Sequence, residues 1–441
     1  MTPGLATGLV ICALLISIVL GTVKKINVGI IAMAFAWIIG CWLGGKFASA
    51  VTTLFPIKVV MYLIAINFFY GFAIVNGTMK QLGDRMMYAF RNQIKLIPFA
   101  IPLAAMVIAG CGGGGLMGDI VMIPIAIVLA ERIGMHPLLA LYGVAAFAPV
   151  GGTTFWSVGG VASLGVASQT FDPAVALSMV QAHTPAYFFA VLSFYIVLYI
   201  FFKGWKVSAE NVEITKPEPM NRNQKITLGL IITLIVLVVV PAAINIVAPN
   251  PVCRYLANFI FEIQVLCLIF GIICSLLGVA DPAEIIKTQI PWNLILTIGG
   301  VATLVAVAQM YGVVDLIGGL IGGNVGSRAA VTLMTAIGGT LSIVTDGLGV
   351  GLPTFYPMLP TIAAGSGAPV AAMFIGFTMG TWATGISPLS SAGGLSLGLM
   401  GEKYRNKLFV PQLILAIAIG AWLTLLAALG YFNLFAGLAA A

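Results

Sequence analysis

Charge is what this sequence most lacks. Acidic and basic side chains make up 7% of its 441 residues, against about a quarter in soluble domains. Histidine occurs twice, at His136 and His183. The six cysteines (Cys12, Cys41, Cys111, Cys253, Cys267, Cys274) are scattered through apolar segments without a CxxC spacing. That excludes a disulfide framework or a zinc site and leaves small packing residues. A phosphate-binding loop of the Walker type is also missing, so nothing suggests ATP-driven work. The net charge of +7 does not require nucleic acid, because its distribution has another explanation, given below.

What is there is apolar: 61% of the residues, with mean hydropathy +1.11. Runs of around twenty apolar residues, each long enough to cross a bilayer, recur along the chain. The sequence reads as an all-α polytopic membrane protein. The first run, "GLATGLVICALLISIVLGTV", has no basic leader and no small-residue cleavage site, and is expected to be a retained helix.

The spacing predicts spans near 4–23, 27–45 and 58–78, an interrupted pair near 94–109 and 117–131, a broken span near 138–168, and a span near 184–202. The polar stretch "KGWKVSAENVEITKPEPMNRNQK" (203–225) is the one linker. Spans near 226–248, 258–279 and 291–311 follow, then an interrupted pair near 329–344 and 350–365, a broken span near 370–400, and a span near 409–430.

The stretch "VGGTTFWSVGGVASLG" (150–165) returns 233 positions later as "ATGISPLSSAGGLSLG" (383–398). Gly152 falls on Gly385, Thr154 on Ser387, Ser157 on Ser390, and Ser163-Leu164-Gly165 on Ser396-Leu397-Gly398. Pro124 falls on Pro357 and Gly143 on Gly376 at the same offset. The expectation is two repeats, 1–202 and 226–441, each with five crossings, one of them broken, and a re-entrant hairpin. An odd number of crossings inverts the second repeat, an architecture many secondary transporters share. With the N-terminus outside, sixteen of the twenty lysines and arginines fall on the inner side, leaving Lys46, Lys58, Arg254 and Arg328 outside. That bias fits the positive-inside rule and anionic inner headgroups.

Four stretches cannot be plain helix: "GCGGGGLMGD" (110–119), "VGGTTFWS" (150–157), "IVTDGLGVGLP" (343–353) and "ATGISPLSS" (383–391). Irregular backbone at membrane depth is tolerated only where protein buries it or a wet cavity takes it up. Each break starts a new helix, and inward-pointing helix starts offer free N–H groups and partial positive charge. Ser387-Pro388 reads as a cap with proline at the first helical position, and Thr154 sits at the matching point. Candidate anion-binding positions are Gly113, Gly114, Gly152, Thr153, Thr154, Ser157, Gly385, Ser387, Ser390 and Ser391. The competing reading is that such glycines only let helices pack closely, as isolated Gly143 and Gly299 do.

Free carbonyls at the opposing helix ends suit a small cation, and Gly112, Thr345 and Thr384, beside Asp346, are the candidate positions. Asp346 either ligates a cation or carries a coupled proton, or it caps the following helix. Its repeat counterpart is Gly113. Asp119 is the alternative acid, serving instead of Asp346 in the first hairpin, or it is a first-turn residue of its helix. Glu262 and Asp315 are expected near the outer interface. His136 and His183 sit at span ends and read as turn residues. Phe155 and Trp156 wall the cavity or pack in the core.

The stretches "VNGTMKQL" (75–82), "IKLIPFAIPLAAMVIAG" (94–110), "MHPLLALYGVAAFAPVGGTTFWSVGGV" (135–161) and "GISPLSSAGG" (385–394) carry a resemblance. The chain resembles the bacterial MatC-type malonate/dicarboxylate carriers of the ion-transporter superfamily, which includes sodium-coupled dicarboxylate and citrate carriers. The resemblance implies a homodimeric anion carrier of the bacterial inner membrane, with paired hairpins and broken helices around a central site and Na⁺ or H⁺ as coupling ion. The hairpin tips "CGGGGLM" and "TDGLGVG" depart from the superfamily's Asp/Ser-Asn-Thr/Pro pattern. Ser387-Pro388-Leu389-Ser390 keeps its Ser-Pro-x-Ser pattern, and Thr154-Phe155-Trp156-Ser157 does not. Uptake of a small di- or monocarboxylate such as malonate or succinate, by alternating access, is the leading reading. A Na⁺/H⁺ antiporter would want more than one essential intramembrane acid. A membrane-embedded enzyme would need convergent acid, base or metal ligands that the chain does not supply.

Overall fold

The computed structural model describes residues 3–208, 216–247, 251–255, 262–400 and 402–439. Residues 209–215 of the polar linker and 256–261 ahead of the span at Ile263–Leu276 lie outside the described residues. The described residues form helices joined by turns, without a strand. Lipid offers the backbone no hydrogen bonds, so each segment must satisfy its own, which a helix does.

Eight helical segments among the described residues are long and apolar enough to cross a membrane: Gly4–Gly21, Ile57–Val75, Ile94–Gly112, Pro173–Phe201, Arg222–Pro241, Trp292–Met310, Ser327–Val344 and Asn406–Ala428. Shorter apolar helices (Val28–Leu43, Pro137–Gly152, Val158–Ala167, Ile263–Leu276, Val313–Gly322, Val370–Thr384) complete the bundle. The large side chains on the outer surface, such as Leu15, Leu276 and Ile414, are themselves apolar, as a lipid-facing surface requires.

Local capping sets the boundaries and moves two of them. Asn221 and Gln224 form a reciprocal box: Gln224 N donates to Asn221 Oδ1 (2.9 Å) and Asn221 N to Gln224 Oε1 (3.1 Å). The helix therefore starts at Arg222, not at 226, and the last residues of the polar stretch are helical. Asp172 Oδ1 accepts from Ala174 N (2.9 Å) and Pro173 takes the first helical position. That signal starts the Pro173–Phe201 helix eleven residues before the expected 184. Pro185 lies inside it, costing one backbone bond that neighbouring groups in a membrane bundle compensate. His183 is consequently not a turn residue; it is buried mid-helix. His136 is one: its Nδ1 accepts from Leu138 N (3.2 Å) at the start of Pro137–Ala145.

The order of elements recurs between the halves. Helices Ile57–Val75 and Trp292–Met310 are both 19 residues long, each preceded by a proline. Each leads through a left-handed glycine, Gly77 (φ 77°) and Gly312 (φ 69°), into a short helix, Thr78–Ala89 and Val313–Gly322. A helix, a tip, a second helix, a broken helix and a long final helix follow in both. Across the halves, Asn27 Nδ2 donates to Asn293 O (2.7 Å) and Thr297 Oγ1 (3.0 Å). There helix Val28–Trp37 packs on Trp292–Met310, where a Cβ on Gly300 would sit 1.8 Å from Gly29 O. Only glycine permits that approach.

Candidate functional site

The two hairpin tips are built differently. In the first, the helical path from Ile97 runs through Ala109–Gly113 and breaks at Gly112, whose φ is 100°. A Cβ there would also lie 1.8 Å from Tyr70 Cε1, so the tip requires glycine twice over. Helix Gly114–Ile133 then leaves the tip. In the second, Ser327–Val344 ends in extended Thr345, and Asp346 Oδ1 accepts from Gly349 N (2.9 Å) to cap the Gly347–Gly351 turn. The capping role of Asp346 is thus present in the structure.

In the first break, Pro137–Gly152 ends at Thr153 and the chain resumes as Val158–Ala167, with Ser157 at the cap. In the second, Val370–Thr384 ends and Ser391–Leu399 begins, capped by Ser390, whose Oγ accepts from Gly393 N (3.1 Å). The expected caps, Thr154 and Ser387, are each three residues too early. Ser387 N bonds Thr384 O (2.9 Å) and Ser390 N bonds Ser387 O (3.0 Å), so two turns intervene before the helix. The Ser387 hydroxyl accepts from Leu389 N (3.2 Å) within those turns.

Several hydroxyls near the breaks are spent on backbone carbonyls. Thr153 Oγ1 donates to Val150 O (3.3 Å), Thr154 Oγ1 to Gly151 O (2.9 Å), and Thr384 Oγ1 to Gly339 O (2.8 Å). Ser157 Oγ donates to Ala109 O (3.0 Å) and Trp156 Nε1 to Gly110 O (2.8 Å). These two bonds join the first break to the first tip.

Both tips and both breaks meet at a cavity of about 560 Å³. Of the positions expected from sequence, Gly114, Gly385, Ser390, Ser391, Thr345 and Asp346 line it. Gly112, Gly113, Gly152, Thr153, Thr154, Ser157, Ser387 and Thr384 are not among its lining; they shape the tips and breaks behind it. Phe155 and Trp156 pack against the core. Asn67, Asn293, Thr297, Trp382 and Ser396 line the cavity and were not assigned to it from sequence; Asp119, the alternative acid, lines it as well. Ser396 carried a signal, since it ends the repeated Ser-Leu-Gly; Asp119 carried one too, as an acid at membrane depth.

Asp119 is buried and Ser396 Oγ lies 3.0 Å from its Oδ2, linking the first hairpin to the second broken helix across 277 positions. The Asp346 carboxyl is open to the cavity. The lining contains these two carboxyls and no lysine or arginine. Three helices, starting at Gly114, Val158 and Ser391, begin at its wall. They supply free N–H groups and partial positive charge. Among the described residues no three His, Cys, Asp or Glu side chains converge as a metal cage.

This is a polytopic helical membrane protein with a transporter fold. It superposes on the crystal structure of the YdaH transporter of Alcanivorax borkumensis with a TM-score of 0.55 at 15% identity, over 90% of this chain and 87% of that one. By sequence, residues 1–152 match the family model of the dicarboxylate carrier protein MatC N-terminus. No curated protein matches the chain by sequence.

Proposed function

We propose that this protein is a secondary carrier that moves a small carboxylate, with malonate and succinate as first candidates, across the bacterial inner membrane by alternating access, coupled to Na⁺ or H⁺. The observation that carries the reading is the cavity where both tips and both breaks meet. Its size falls within the roughly 300–1,000 Å³ of small-molecule sites. Three helix starts and Ser391 line it, so an anion would be held by dipoles rather than by a buried cation. Each helix-start contact contributes up to ~2 kcal/mol when partly buried, and several are needed to offset desolvation of a dianion. Asp119 and Asp346 would repel that dianion, which gives a coupled cation its energetic role: it neutralises the site as the anion enters.

The match of residues 1–152 to a dicarboxylate carrier family and the transporter fold support this reading over an enzyme. The repeated element order supports two inverted repeats, 1–202 and 226–441, which we take as the two halves that rearrange. Thr288, Gln289 and Pro291 line the cavity next to Lys287, on the lysine-rich side of the chain. We read this as an inward-open state with the N-terminus outside. A homodimer is part of the same proposal.

The two carboxyls in one cavity also favour, as a second reading, a Na⁺/H⁺ antiporter. Purified protein in liposomes discriminates them. Exchange of labelled malonate or succinate supports the carrier. Proton movement against Na⁺ without an organic anion supports the antiporter and overturns the first reading. A ligand at ~100 Kd should also add about 2.7 kcal/mol of stability.

A further inference from the structure

Asp119 is a buried carboxyl with one side-chain hydrogen-bond partner, Ser396. Ser396 Oγ is 3.0 Å from Asp119 Oδ2 and 2.9 Å from Ala392 O. A serine hydroxyl owns a single hydrogen, and a backbone carbonyl can only accept. Either Ser396 donates to an ionised Asp119, or, with the serine hydrogen on Ala392 O as in a back-bond to residue i−4, a protonated Asp119 donates to Ser396 Oγ. An ionised Asp119 would compete with Ala392 O for one hydrogen and leave Oδ1, which has no partner, buried and charged.

The cavity around Asp119 offers no compensating cation: no lysine or arginine lines it. The elements packed on helix Gly114–Ile133 carry Tyr142, Cys111, Lys80, Asp84, Arg85 and Tyr88, and Pro173–Phe201 carries Tyr187 with His183 beside it. Asp346 lines the same cavity. The one salt bridge among the described residues is Lys403–Glu131, elsewhere. Nor does the site suit a metal cation: Ser396 is the one side chain hydrogen-bonded to Asp119, whereas hard cations take a shell of several oxygens. The repeat counterpart of Asp119 is Leu352, so the arrangement exists in one half only.

We propose that Asp119 is the proton-binding carboxyl of the cavity: it holds a proton in the state described here, donates it to Ser396 Oγ, and releases it to water when the two halves part during transport. The step makes and breaks one O–H bond, with the proton taken from and returned to solvent. This deepens the carrier reading and rests on it, because it names H⁺ as the coupling ion and one proton per cycle at this site.

The test uses two independent readouts on purified protein in sodium-free liposomes with the membrane potential clamped. Wild type should accumulate labelled malonate or succinate under an inward proton gradient, up to about tenfold per unit of pH difference for one coupled proton. Asp119→Asn is close to isosteric with the neutral acid and keeps a donor for Ser396, so it should remain monodisperse yet lose accumulation. Asp119→Glu should restore part of it. Accumulation undiminished in Asp119→Asn, or driven by sodium and indifferent to pH, overturns the proposal. Infrared difference spectra between wild type and Asp119→Asn decide the same point without substrate. A protonated-carboxyl C=O band present in wild type and missing from the variant supports the assignment, and its absence from wild type at neutral pH overturns it. If wild type exchanges no carboxylate, the carrier reading fails and this band alone judges Asp119.

Discussion

Replacing Gly112 by alanine tests the account of the first tip. Two costs add at that position. A non-glycine residue held at φ 100° carries roughly 1–3 kcal/mol of backbone strain. Its Cβ would sit 1.8 Å from Tyr70 Cε1, and the tyrosine is fully buried, so relief of the overlap costs about another 1–3 kcal/mol. The expected destabilisation of Gly112→Ala is therefore about 2–6 kcal/mol. Tyr70→Ala alone costs about 3–5 kcal/mol through the cavity it leaves. The double variant should cost less than the sum, because the overlap disappears with the ring. That coupling should be about 1–3 kcal/mol, and Tyr70→Phe, which keeps the ring, should give none. Thermal inactivation in detergent, read at one scan rate because unfolding is irreversible for many such proteins, gives the ranking; carboxylate exchange in liposomes gives the functional effect. Gly112→Ala with wild-type stability and exchange would refute the tip geometry, and additive effects would refute the contact with Tyr70.

Other substitutions probe the site around it. Ser391→Leu places a branched side chain in the cavity and should abolish exchange without loss of monodispersity, whereas Thr154→Val, behind the wall, should lower stability by about 1 kcal/mol and keep exchange; the reverse pattern would relocate the site. Trp156→Phe strands the Gly110 carbonyl and should destabilise by about 1–3 kcal/mol, measured as a lower inactivation temperature. Lys403→Ala should hardly change stability at neutral pH, since the Glu131 pair is solvent-exposed. Hydrogen bonds from Lys403 and Tyr404 hold the Glu131 carboxyl below its ordinary range. The pair's small contribution is then present above the unfolded carboxylate range and lost as pH falls through the lowered folded value, so wild type and Lys403→Ala should converge in acid.

Glycine clusters and apolar runs made the spans, tips and breaks legible in the sequence, because both follow from what a bilayer permits. The helix starts were harder. Ser387-Pro388 has the composition of a cap, but two successive turns intervene and Ser390 takes the role. A hydroxyl's neighbours in sequence do not say whether it lines the cavity or bonds a backbone carbonyl: Ser391 lines the wall, while Thr153 and Thr154 spend their hydrogens on the turn beneath and Ser390, at the wall, does the same. Asp119 looked like a first-turn acid because its partner, Ser396, lies in the other half of the chain. Pro185 suggested a span start at 184, yet Asp172 and Pro173 open the helix a membrane-interface length earlier.

The bonds from Ser157 to Ala109 O and from Trp156 to Gly110 O limit how the protein can change shape. Pulling the first hairpin away from its neighbouring kink would break both bonds, taking the indole N–H from Gly110 O and the serine hydroxyl from Ala109 O, which keeps Gly114 N–H. Moving the two as one piece keeps both. On the second side the bond from Thr384 to Gly339 O ties the broken helix to the body of the hairpin, away from a tip that closes upon itself through Asp346 and Gly349.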